Sequence, residues 1–415
     1  MRSWPAPELP PLPGTGFPVR VHDTVTGTLV PLTGDREVRI YVCGITPYDA
    51  THLGHAFTYL TYDLLFRTLR DAGRAVAYAQ NVTDVDEPLF ERADRDGEDW
   101  RDLGQREIER FRDDMAALRM LPPRAYVGAV EAMPLIVDMI EELRDRGACY
   151  SVEGDLYFPV SADPRFGAVA RLEPTEMRHR LADNGGDPDR AGKKDPLDVL
   201  LWRARRPGEP SWPAPFGAGR PGWHIECSAI ARAHLGDTID VQGGGTDLIY
   251  PHHEYSAAHA EVATGAAPFA SAYLHTAVVG LDGHKMSKSR GNLVFVSQLR
   301  RQVEPAAIRL ALLAHRHTLE WEWRAGDLAT ARARLGRWRA AAAAPTGPDA
   351  RPVLAAVRRA LADGLDGPAA VAAVDDWADA CLSAGGGDRE APGLARDVVD
   401  TLLGVDLEPV PPVES

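Results

Sequence analysis

Two histidines near the N-terminus could stabilise charge on a phosphate. They lie in THLGH, residues 51–55, where His52 and His55 stand three residues apart at the predicted start of a helix. Backbone N–H groups at a helix start attract anions, and imidazoles beside them could hold charge that develops on phosphate oxygens. A pair with this spacing is more often structural, so the segment needs a second observation.

A loop with two lysines, GHKMSKSRGN at residues 283–292, provides that observation. Lys285 and Lys288 are accompanied by serines and glycines, which permit mobility and close approach of the backbone. Lysine carries a compact positive charge that pairs with phosphate. The loop alone could be an ordinary solvated loop, but together with THLGH it favours a nucleotide site.

A glycine-rich segment, GGGTD at residues 243–247, indicates where a nucleotide could lie. It follows the predicted strand TIDVQ, and its glycines would let a purine and ribose approach the backbone. Asp247 could accept a hydrogen bond from a ribose hydroxyl. The alternative is a simple turn between a strand and a helix.

A second kind of chemistry could come from thiols and imidazoles. Cys43 ends the first predicted strand, Cys227 in GWHIECS ends another, and His252 and His253 open a predicted helix. Because the ends of parallel strands converge on one cleft, these side chains could meet there. Two thiolates and an imidazole suit a borderline-soft ion such as zinc. A buried cysteine is more often a small apolar residue, and the chain has no C-x-x-C pair among these residues.

Several predicted elements position these groups. Residues 38–43 and 75–82 read as strands and residues 56–73 as the helix between them, which is a parallel βαβ unit. Residues 88–147 look mostly helical and residues 150–220 less regular. Strand patterns return in three segments. These are GWHIECS (222–228), TIDVQGGG (238–245) and AYLHTAVVGL (272–281). The pattern predicts one α/β domain made of two separated halves.

The predicted domain organisation has four regions. Residues 1–120 form the first half of the catalytic domain, and residues 121–220 an insertion. Residues 221–300 form the second half, with the metal-ligand and lysine-loop segments, and residues 301–415 a helical region. An alanine run near Ala340 with APTGPDARP reads as a linker, and two or three short helices follow it.

Composition narrows the class of protein. The 415 residues are 45% hydrophobic and 26% charged, which is typical of a globular protein, and no apolar run is long enough to span a bilayer. The chain begins without the apolar core of a signal peptide, and it has only four cysteines. We therefore expect a cytoplasmic protein with reduced thiols and no membrane partner. A formal net charge of −14 is weak evidence against general nucleic-acid binding.

Together, THLGH and KMSKS resemble the two signature segments of class I aminoacyl-tRNA synthetases, usually written HIGH and KMSKS. The resemblance implies an α/β fold with a Rossmann-like parallel sheet, an insertion and a C-terminal helical domain. It also implies that a carboxylate attacks the α-phosphate of ATP, with Mg²⁺, and leaves an acyl-adenylate. His52, His55, Lys285 and Lys288 match the positions that stabilise the pentavalent phosphate and the leaving pyrophosphate.

The cysteine-activating branch of that family is similar over residues 41–292, roughly 60% of the chain. The segments YVCG, NVTDVD, RPGWHIECS, GGGTDLIYPHHE and HKMSKSRGN carry the similarity. It implies one zinc ion per subunit on Cys43, Cys227 and His252. The family's fourth ligand, a glutamate, falls where this chain has Ser256. Three protein ligands would leave an open position, which the thiolate of a cysteine substrate could fill and a serine hydroxyl could not fill well.

The resemblance also implies which residues surround the nucleotide and the amino acid. Trp223 would wall the amino-acid pocket. The substrate-binding and nucleotide-binding set is Cys43, Gly44, Ile45, Thr46, Thr58, Asn81, Val82, Thr83, Trp223, Gly245, Thr246, Asp247 and Val279.

The insertion bears on the acceptor of the activated cysteine. Residues 183–212 resemble ligases that join cysteine to the amino group of glucosaminyl-inositol in mycothiol biosynthesis, as do SWPAPELPPLPG and CGITPYDATHLGHAFTYLTYDLL. Those ligases have Glu-Arg before GGDP, whereas this chain has Asp183 and Asn184. The resemblance implies L-cysteine, ATP and glucosaminyl-inositol as substrates, with no tRNA, because the short acidic C-terminal region lacks a basic stripe with aromatics.

Three questions stay open on the residues alone. A compact cysteinyl-tRNA synthetase and an idle paralogue that senses cysteine or zinc are the alternative functions. The base that would deprotonate the acceptor amine could be Asp84, Asp86, His253 or Glu254. We expect a monomer.

Overall fold

A computed structural model describes residues 1–33, 37–49, 51–286 and 291–408 of the chain. The strands, numbered in chain order, are β1 Arg20–Asp23, β2 Thr28–Pro31, β3 Val38–Val42, β4 Val76–Val82, β5 Ala125–Gly128, β6 Tyr150–Val152, β7 Asp155–Phe158, β8 Val199–Ala204, β9 Gly219–Pro221, β10 Ile239–Gly245, β11 Ala270–Thr276, β12 Val279–Leu281, β13 His284–Lys285 and β14 Trp321–Glu322.

Helices connect these strands and form the C-terminal region. They are α1 Leu53–Asp71, α2 Glu87–Asp96, α3 Trp100–Ala117, α4 Met133–Asp145, α5 Pro174–Asp183, α6 Trp223–Leu235, α7 Glu254–Thr264, α8 Val296–Leu299, α9 Pro305–Leu313, α10 Ala325–Ala342, α11 Arg351–Ala362, α12 Gly367–Ala384 and α13 Ala391–Val398. Among the residues that the structure describes, no helix is long and apolar enough to cross a membrane.

A five-stranded parallel sheet forms the centre of the fold. Its strand order is β11-β10-β3-β4-β5, and every neighbouring pair is parallel. The chain moves outward from β3 to β4 and β5, then returns to place β10 on the other side of β3. This change of direction creates a crevice at the carboxyl ends of β3 and β10, where ligands bind in open α/β sheets. The predicted α/β class and parallel sheet are confirmed.

The predicted βαβ unit is also confirmed. Val38–Val42 and Val76–Val82 are parallel neighbours, and the intervening helix begins at Leu53, three residues before the predicted start. His52 caps the helix, because its side chain accepts a hydrogen bond from the N–H of Gly54. The helix ends before Gly73, which has a φ of +75° that favours glycine.

The prediction of a strand in GWHIECS is wrong, because Trp223–Leu235 is a helix. Most of this helix is buried, since it packs against β3, β4, α4 and α7. A helix that is buried on several sides has apolar residues all around it, so its sequence lacks the periodicity that distinguishes a helix from a strand.

Two other regions differ from their predicted secondary structure. Residues 88–147, predicted as mostly helical, contain the edge strand Ala125–Gly128, which is only four residues long. Residues 150–220, predicted as irregular, contain the antiparallel sheet β6-β7-β8-β9 and the helix Pro174–Asp183. The strands of this sheet are short and separated by Gly-rich and Pro-rich turns, which hide their pattern.

The C-terminal region is helical, as predicted. Ala340–Ala342 of the alanine run belong to the helix Ala325–Ala342, because alanine favours a helix more than any other residue, and residues 343–350 connect that helix to the next, α11. A buried ion cluster joins this region to the catalytic half. Asp63 in α1 pairs with Arg67 in the same helix and with Arg309 in α9. Arg67 and Arg309 also donate to carbonyl groups of residues 400–403, near the end of the described chain.

Candidate active site

A cavity of about 370 Å³ lies at the carboxyl ends of β3 and β10 and the start of α1. We call it the histidine cavity. Its lining includes His52 and His55, together with Lys285 and Asp247. Within the described residues, the side chains assigned to phosphate chemistry therefore line one cavity.

The two histidines are stacked and uncharged. Their ring centroids lie 3.7 Å apart, with 27° between the planes. Burial lowers the pKa of His52 well below its ordinary value, and His55 and Lys285 lower it further. Burial also lowers the pKa of His55 to about 4. Since Nδ1 of His52 accepts the N–H of Gly54 at 3.1 Å, the proton of this imidazole lies on Nε2. The neutral ring keeps one N–H donor.

Lys285 lines the same cavity as the two histidines. Its Nζ is 3.1 Å from the Oδ2 of Asp247, and both side chains are about half exposed. Lys288, the other lysine of the predicted pair, lies outside the described residues. Met286, before the part of the loop outside the described residues, is buried. After that part, the carbonyl of Val294 accepts the N–H of Leu53 in THLGH.

Three potential metal ligands converge beside this cavity. The Sγ of Cys43 is 3.7 Å from the Sγ of Cys227, and Nε2 of His252 is 3.2 Å from the Sγ of Cys227. All three ligand atoms lie within 4.8 Å of one another, and all three residues are buried. Ligands of tetrahedral zinc stand about 3.3–3.8 Å apart, given Zn–S and Zn–N bonds of about 2.3 and 2.0 Å. The donor set therefore fits a zinc ion.

The protonation of the two thiols also suits a metal. Burial raises the pKa of the Cys43 thiol well above its ordinary value. Burial acts in the same direction on Cys227, but the Cys43 thiol and His252 outweigh it and hold the pKa of Cys227 well below its ordinary value. A metal-binding cysteine acts as the thiolate, so Cys227 is the preformed ligand of the pair.

Neighbouring side chains orient His252. Nδ1 of His224 is 3.0 Å from Nδ1 of His252, and the Trp223 ring stacks on the His252 ring at 4.3 Å. Metal-binding histidines commonly have their second nitrogen held in this way. Ser256, at the position of the expected fourth ligand, instead donates to the carbonyl of His224. His224 was not among the predicted site residues, although it stands three residues before Cys227 in GWHIEC.

A chain of two histidines leads away from Cys43; the sequence indicated His253 but not His275. Nε2 of His253 is 3.2 Å from the Sγ of Cys43, and its Nδ1 is 2.8 Å from Nε2 of His275. His275 in turn lies 2.7 Å from the hydroxyl of Thr24. All three histidine and cysteine side chains are buried. The adjacent His252 and His253 thus have separate roles, one within the ligand set and one behind Cys43.

Most of the predicted substrate residues line the histidine cavity. They are Cys43, Gly44, Ile45, Thr46, Thr58, Trp223, Gly245, Asp247 and Val279. The predicted residues Asn81, Val82, Thr83 and Thr246 are not among the described residues that line it. Asn81, Val82 and Thr83 are buried in or directly after β4, so they are placed behind the cavity wall.

Asn81 shapes the cavity from behind through Gly44. Its Oδ1 accepts the N–H of Gly44 at 2.8 Å, and its amide donates to Thr83 at 3.1 Å. A Cβ at position 44 would lie 1.6 Å from the carbonyl oxygen of Asn81, so only glycine fits there. Asn81 and Thr83 position the strand end beside Cys43.

A larger cavity of about 760 Å³ adjoins the first. We call it the insertion cavity, because residues 155–224 supply most of its wall, together with residues 46–48 and 85–88. Thr46, Tyr48 and Trp223 line both cavities. A ligand in the insertion cavity could therefore reach a group held in the histidine cavity.

Comparison with known proteins gives a family match and relatives of high sequence identity. The family model described as tRNA synthetases class I (C) catalytic domain matches residues 29–333. A protein from Parafrankia sp. is 67% identical over 99% of this chain and 94% of its own length. One from Thermomonospora curvata is 62% identical over 98% of this chain and 100% of its own length. Both are named L-cysteine:1D-myo-inositol 2-amino-2-deoxy-alpha-D-glucopyranoside ligase.

Solved structures share the fold at low sequence identity. Methionyl-tRNA synthetase of Mycobacterium tuberculosis, in complex with methionyl-adenylate, has a TM-score of 0.65 at 14% identity, covering 89% of this chain and 92% of its own. The LeuRS of Agrobacterium radiobacter, in a ternary complex with tRNA, has a TM-score of 0.64 at 12% identity, covering 90% of this chain and 84% of its own. These matches support the class I synthetase fold.

Proposed function

The chain belongs to the family of class I tRNA synthetase (C) catalytic domains, together with the ligases that match nearly its whole length, and on that premise we propose its reaction. It is an ATP-dependent ligase that activates L-cysteine as cysteinyl-adenylate. It transfers the cysteinyl group to the amino group of glucosaminyl-inositol, as in mycothiol biosynthesis, with AMP and pyrophosphate as the other products. The observation that carries the proposal is the single cavity that joins the phosphate-binding residues to Cys43.

In the first half-reaction, the cysteine carboxylate attacks the α-phosphate of ATP and pyrophosphate leaves. His52 and His55 are uncharged, so they would act as fixed N–H donors to phosphate oxygens and not as proton sources. The start of α1 adds backbone N–H groups. Lys285 would leave its ion pair with Asp247 and pair with the phosphates of ATP. Lys288 would supply the second positive charge of that loop.

The amino acid would lie between the thiols and Trp223. Cys43, Cys227 and His252 would hold one zinc ion, which would supply a thiophilic position for the sulfur of the substrate. Trp223, which is stacked on His252 and lines the cavity, would close the pocket around the side chain of the substrate. Gly44 and Thr46 would lie along the aminoacyl group, and Gly245 and Asp247 along the ribose. We propose that Mg²⁺ accompanies ATP.

The insertion cavity favours a small polar acceptor over tRNA. Its wall carries the carboxylates of Asp86, Glu87, Asp155, Asp187 and Asp198. Its three arginines are ion-paired with acidic residues, Arg190 with Asp155, Arg203 with Glu209 and Arg220 with Glu87. Such a wall suits a cationic sugar with many hydroxyl groups better than a phosphate backbone, which needs unpaired positive charge. We propose that the protein acts without tRNA and as a monomer.

Exchange of label between pyrophosphate and ATP tests the activation step. Exchange that requires L-cysteine and is not supported by L-serine is the expected result, because sulfur binds the proposed metal far better than a hydroxyl does. Release of AMP should then require glucosaminyl-inositol. An absence of cysteine-dependent exchange in the metal-loaded protein would contradict the proposal and favour a protein that only senses cysteine or zinc.

A further inference from the structure

The acceptor amine must lose a proton before it can attack a carbonyl carbon. Four side chains could accept that proton on sequence grounds, and the structure separates them. His253 is fully buried behind Cys43. Glu254 is buried, and its oxygens accept N–H groups of Gly167, Val169 and Ala170, so it anchors the insertion.

The structure also distinguishes the two aspartates of NVTDVD, Asp84 and Asp86, by their contacts and their positions relative to the cavities. Asp84 accepts the N–H of Val130 at 2.9 Å, and it is not among the described residues that line either cavity. Asp86 lines the insertion cavity and caps α2, where its Oδ1 accepts the N–H of Glu87. Its Oδ2 accepts the hydroxyl of Thr46 at 3.4 Å. Since Thr46 lines both cavities, Asp86 stands one hydrogen bond from their junction.

We propose that the insertion cavity binds the amino sugar and that Asp86 accepts the proton of its ammonium group. The inference rests on the proposed function, because it requires that a cysteinyl-adenylate forms in the histidine cavity. The volume of about 760 Å³ lies within the range of about 300–1,000 Å³ that small-ligand sites occupy. Its wall carries five acidic side chains and three arginines, an acidic excess that favours a cation, and its polar side chains suit hydroxyl groups.

The transfer step forms one C–N bond and breaks one C–O bond. The ammonium group gives one proton to the Asp86 carboxylate and becomes a neutral amine. Its nitrogen then attacks the carbonyl carbon of cysteinyl-adenylate, so that a C–N bond forms. The bond between the carbonyl carbon and the phosphate oxygen breaks, and AMP leaves with the electron pair. The nitrogen loses a second proton to water, which leaves a neutral amide, and the Asp86 proton then passes to water.

The surroundings of Asp86 fit a base that works near neutral pH. Burial raises the pKa of Asp86 to about 7, and the negative charge of Glu87 acts in the same direction, while Arg220 from β9 opposes it. Tyr48 and Glu226 are the other titratable groups that face it, and burial raises the pKa of both. The carboxylate form therefore predominates above about pH 7, so the transfer rate should rise with pH through that value.

The test separates the two half-reactions. Enzyme holding preformed cysteinyl-adenylate is mixed with glucosaminyl-inositol, and the amide is followed in a single turnover across the pH range. Asp86→Asn keeps the helix cap and the bond to Thr46 but cannot accept a proton. It should slow the transfer by about 10²–10⁴ and remove its rise with pH. Cysteine-dependent pyrophosphate exchange should be affected far less.

Asp99→Asn is the matched control. Asp99 caps the next helix, α3, in the same manner, and it is not among the described residues that line either cavity. This variant should transfer cysteine at the wild-type rate with the wild-type pH profile. Asn184→Trp tests the cavity itself. Asn184 is an exposed residue of its wall, so the indole should raise the KM for glucosaminyl-inositol severalfold more than the KM for ATP.

The outcomes separate a failure of the proposed function from a failure of the role assigned to Asp86. If the wild-type protein forms no amide, the proposed function fails. If it forms amide but Asp86→Asn transfers at the wild-type rate with the same pH profile, the role of Asp86 is wrong. An equal loss of exchange and transfer would also overturn that role, since Asp86 would then support the fold or the adenylate. An unchanged KM in Asn184→Trp would place the amino sugar elsewhere.

Discussion

At the scale of single residues, Cys227 should decide whether the protein holds a metal. It is the thiol with the lowered pKa, and it contacts both Cys43 and His252. Cys227→Ala should lose the bound metal and cysteine-dependent exchange together, because two ligands remain and neither is preformed as an anion. Metal content measured by mass spectrometry on the purified protein gives the first readout.

Cys149→Ala is the control for that variant, because Cys149 is a half-buried thiol outside the ligand group. It should keep both metal and exchange. A Cys227→Ala protein with a full complement of metal and normal exchange would rule out the proposed ligand set.

His55 should separate chemistry from cysteine binding. It is half-buried and stacks on His52 at the start of α1, with 3.7 Å between ring centroids, and it lines the histidine cavity. His55→Ala should lower the rate of cysteine-dependent exchange by about 10²–10³, which is typical for the loss of one fixed donor to a transition state. Cysteine binding, followed by calorimetry, should change little.

The exposed His179 on α5 provides a comparison, since His179→Ala removes an imidazole that is not among the described residues that line either cavity. Normal exchange in His55→Ala would show that the stacked pair is structural, which is the alternative that the spacing alone left open.

At the scale of elements, α6 supplies one ligand and the residue that orients another. Trp223, His224 and Cys227 lie within its first five residues, so the helix brings the pocket wall, the partner of His252 and a thiol to one place. His224→Ala should weaken zinc affinity by about 10–100-fold, the usual cost of losing a group that orients a ligand. Competition with a chelator of known affinity measures this.

His224→Asn should restore part of that affinity, because an amide can occupy the place of Nδ1. Equal affinities in His224→Ala and the unaltered protein would show that the 3.0 Å contact with His252 has no influence on the metal.

The sequence predicts the elements around its motifs and misses those without local periodicity. THLGH stands between a strand and a helix that both have clear patterns, so the βαβ unit and the placement of His52 and His55 could be predicted. Trp223–Leu235 could not, because a helix buried on several sides has no polar face. The prediction that Cys227 lies near Cys43 is nevertheless confirmed.

Sequence patterns also fail to identify some residues of the site, for a similar physical reason. The resemblance to a family with known motifs brings forward Cys43 and His252 as potential ligands, and the structure brings their ligand atoms together with that of Cys227. Sequence patterns do not identify His275, which contacts His253 only because β11 lies beside β10 in the sheet. The resemblance implies that Asn81 lies near the adenylate, and in the structure its side-chain oxygen accepts the N–H of Gly44.

At the scale of the whole molecule, the Asp63 cluster connects α1 in the catalytic half to the C-terminal helical region. Burial would raise the pKa of Asp63, but Arg309 and Arg67 outweigh it and hold the pKa below its ordinary value. The ionised carboxylate therefore stabilises the fold at neutral pH, and this contribution is lost as the pH falls through the folded-state pKa. Asp63→Ala should cost about 3–5 kcal/mol, since it leaves two buried arginines without their partner.

Urea unfolding measures that cost, with Asp363→Ala for comparison. Asp363 pairs with Arg20, and both side chains are about half exposed, so its loss should cost about 1 kcal/mol or less. Similar stabilities for the two variants would contradict a structural role for the buried cluster.

The central claim is that an activated cysteine meets an amino sugar and not a tRNA. The most direct measurement offers the zinc-loaded protein ATP and L-cysteine with glucosaminyl-inositol and cysteine tRNA in the same reaction, and identifies the products by mass. We predict a cysteinyl amide of the amino sugar, with one AMP formed for each amide, and uncharged tRNA. Cysteinyl-tRNA without any amide would contradict the account and establish a compact cysteinyl-tRNA synthetase.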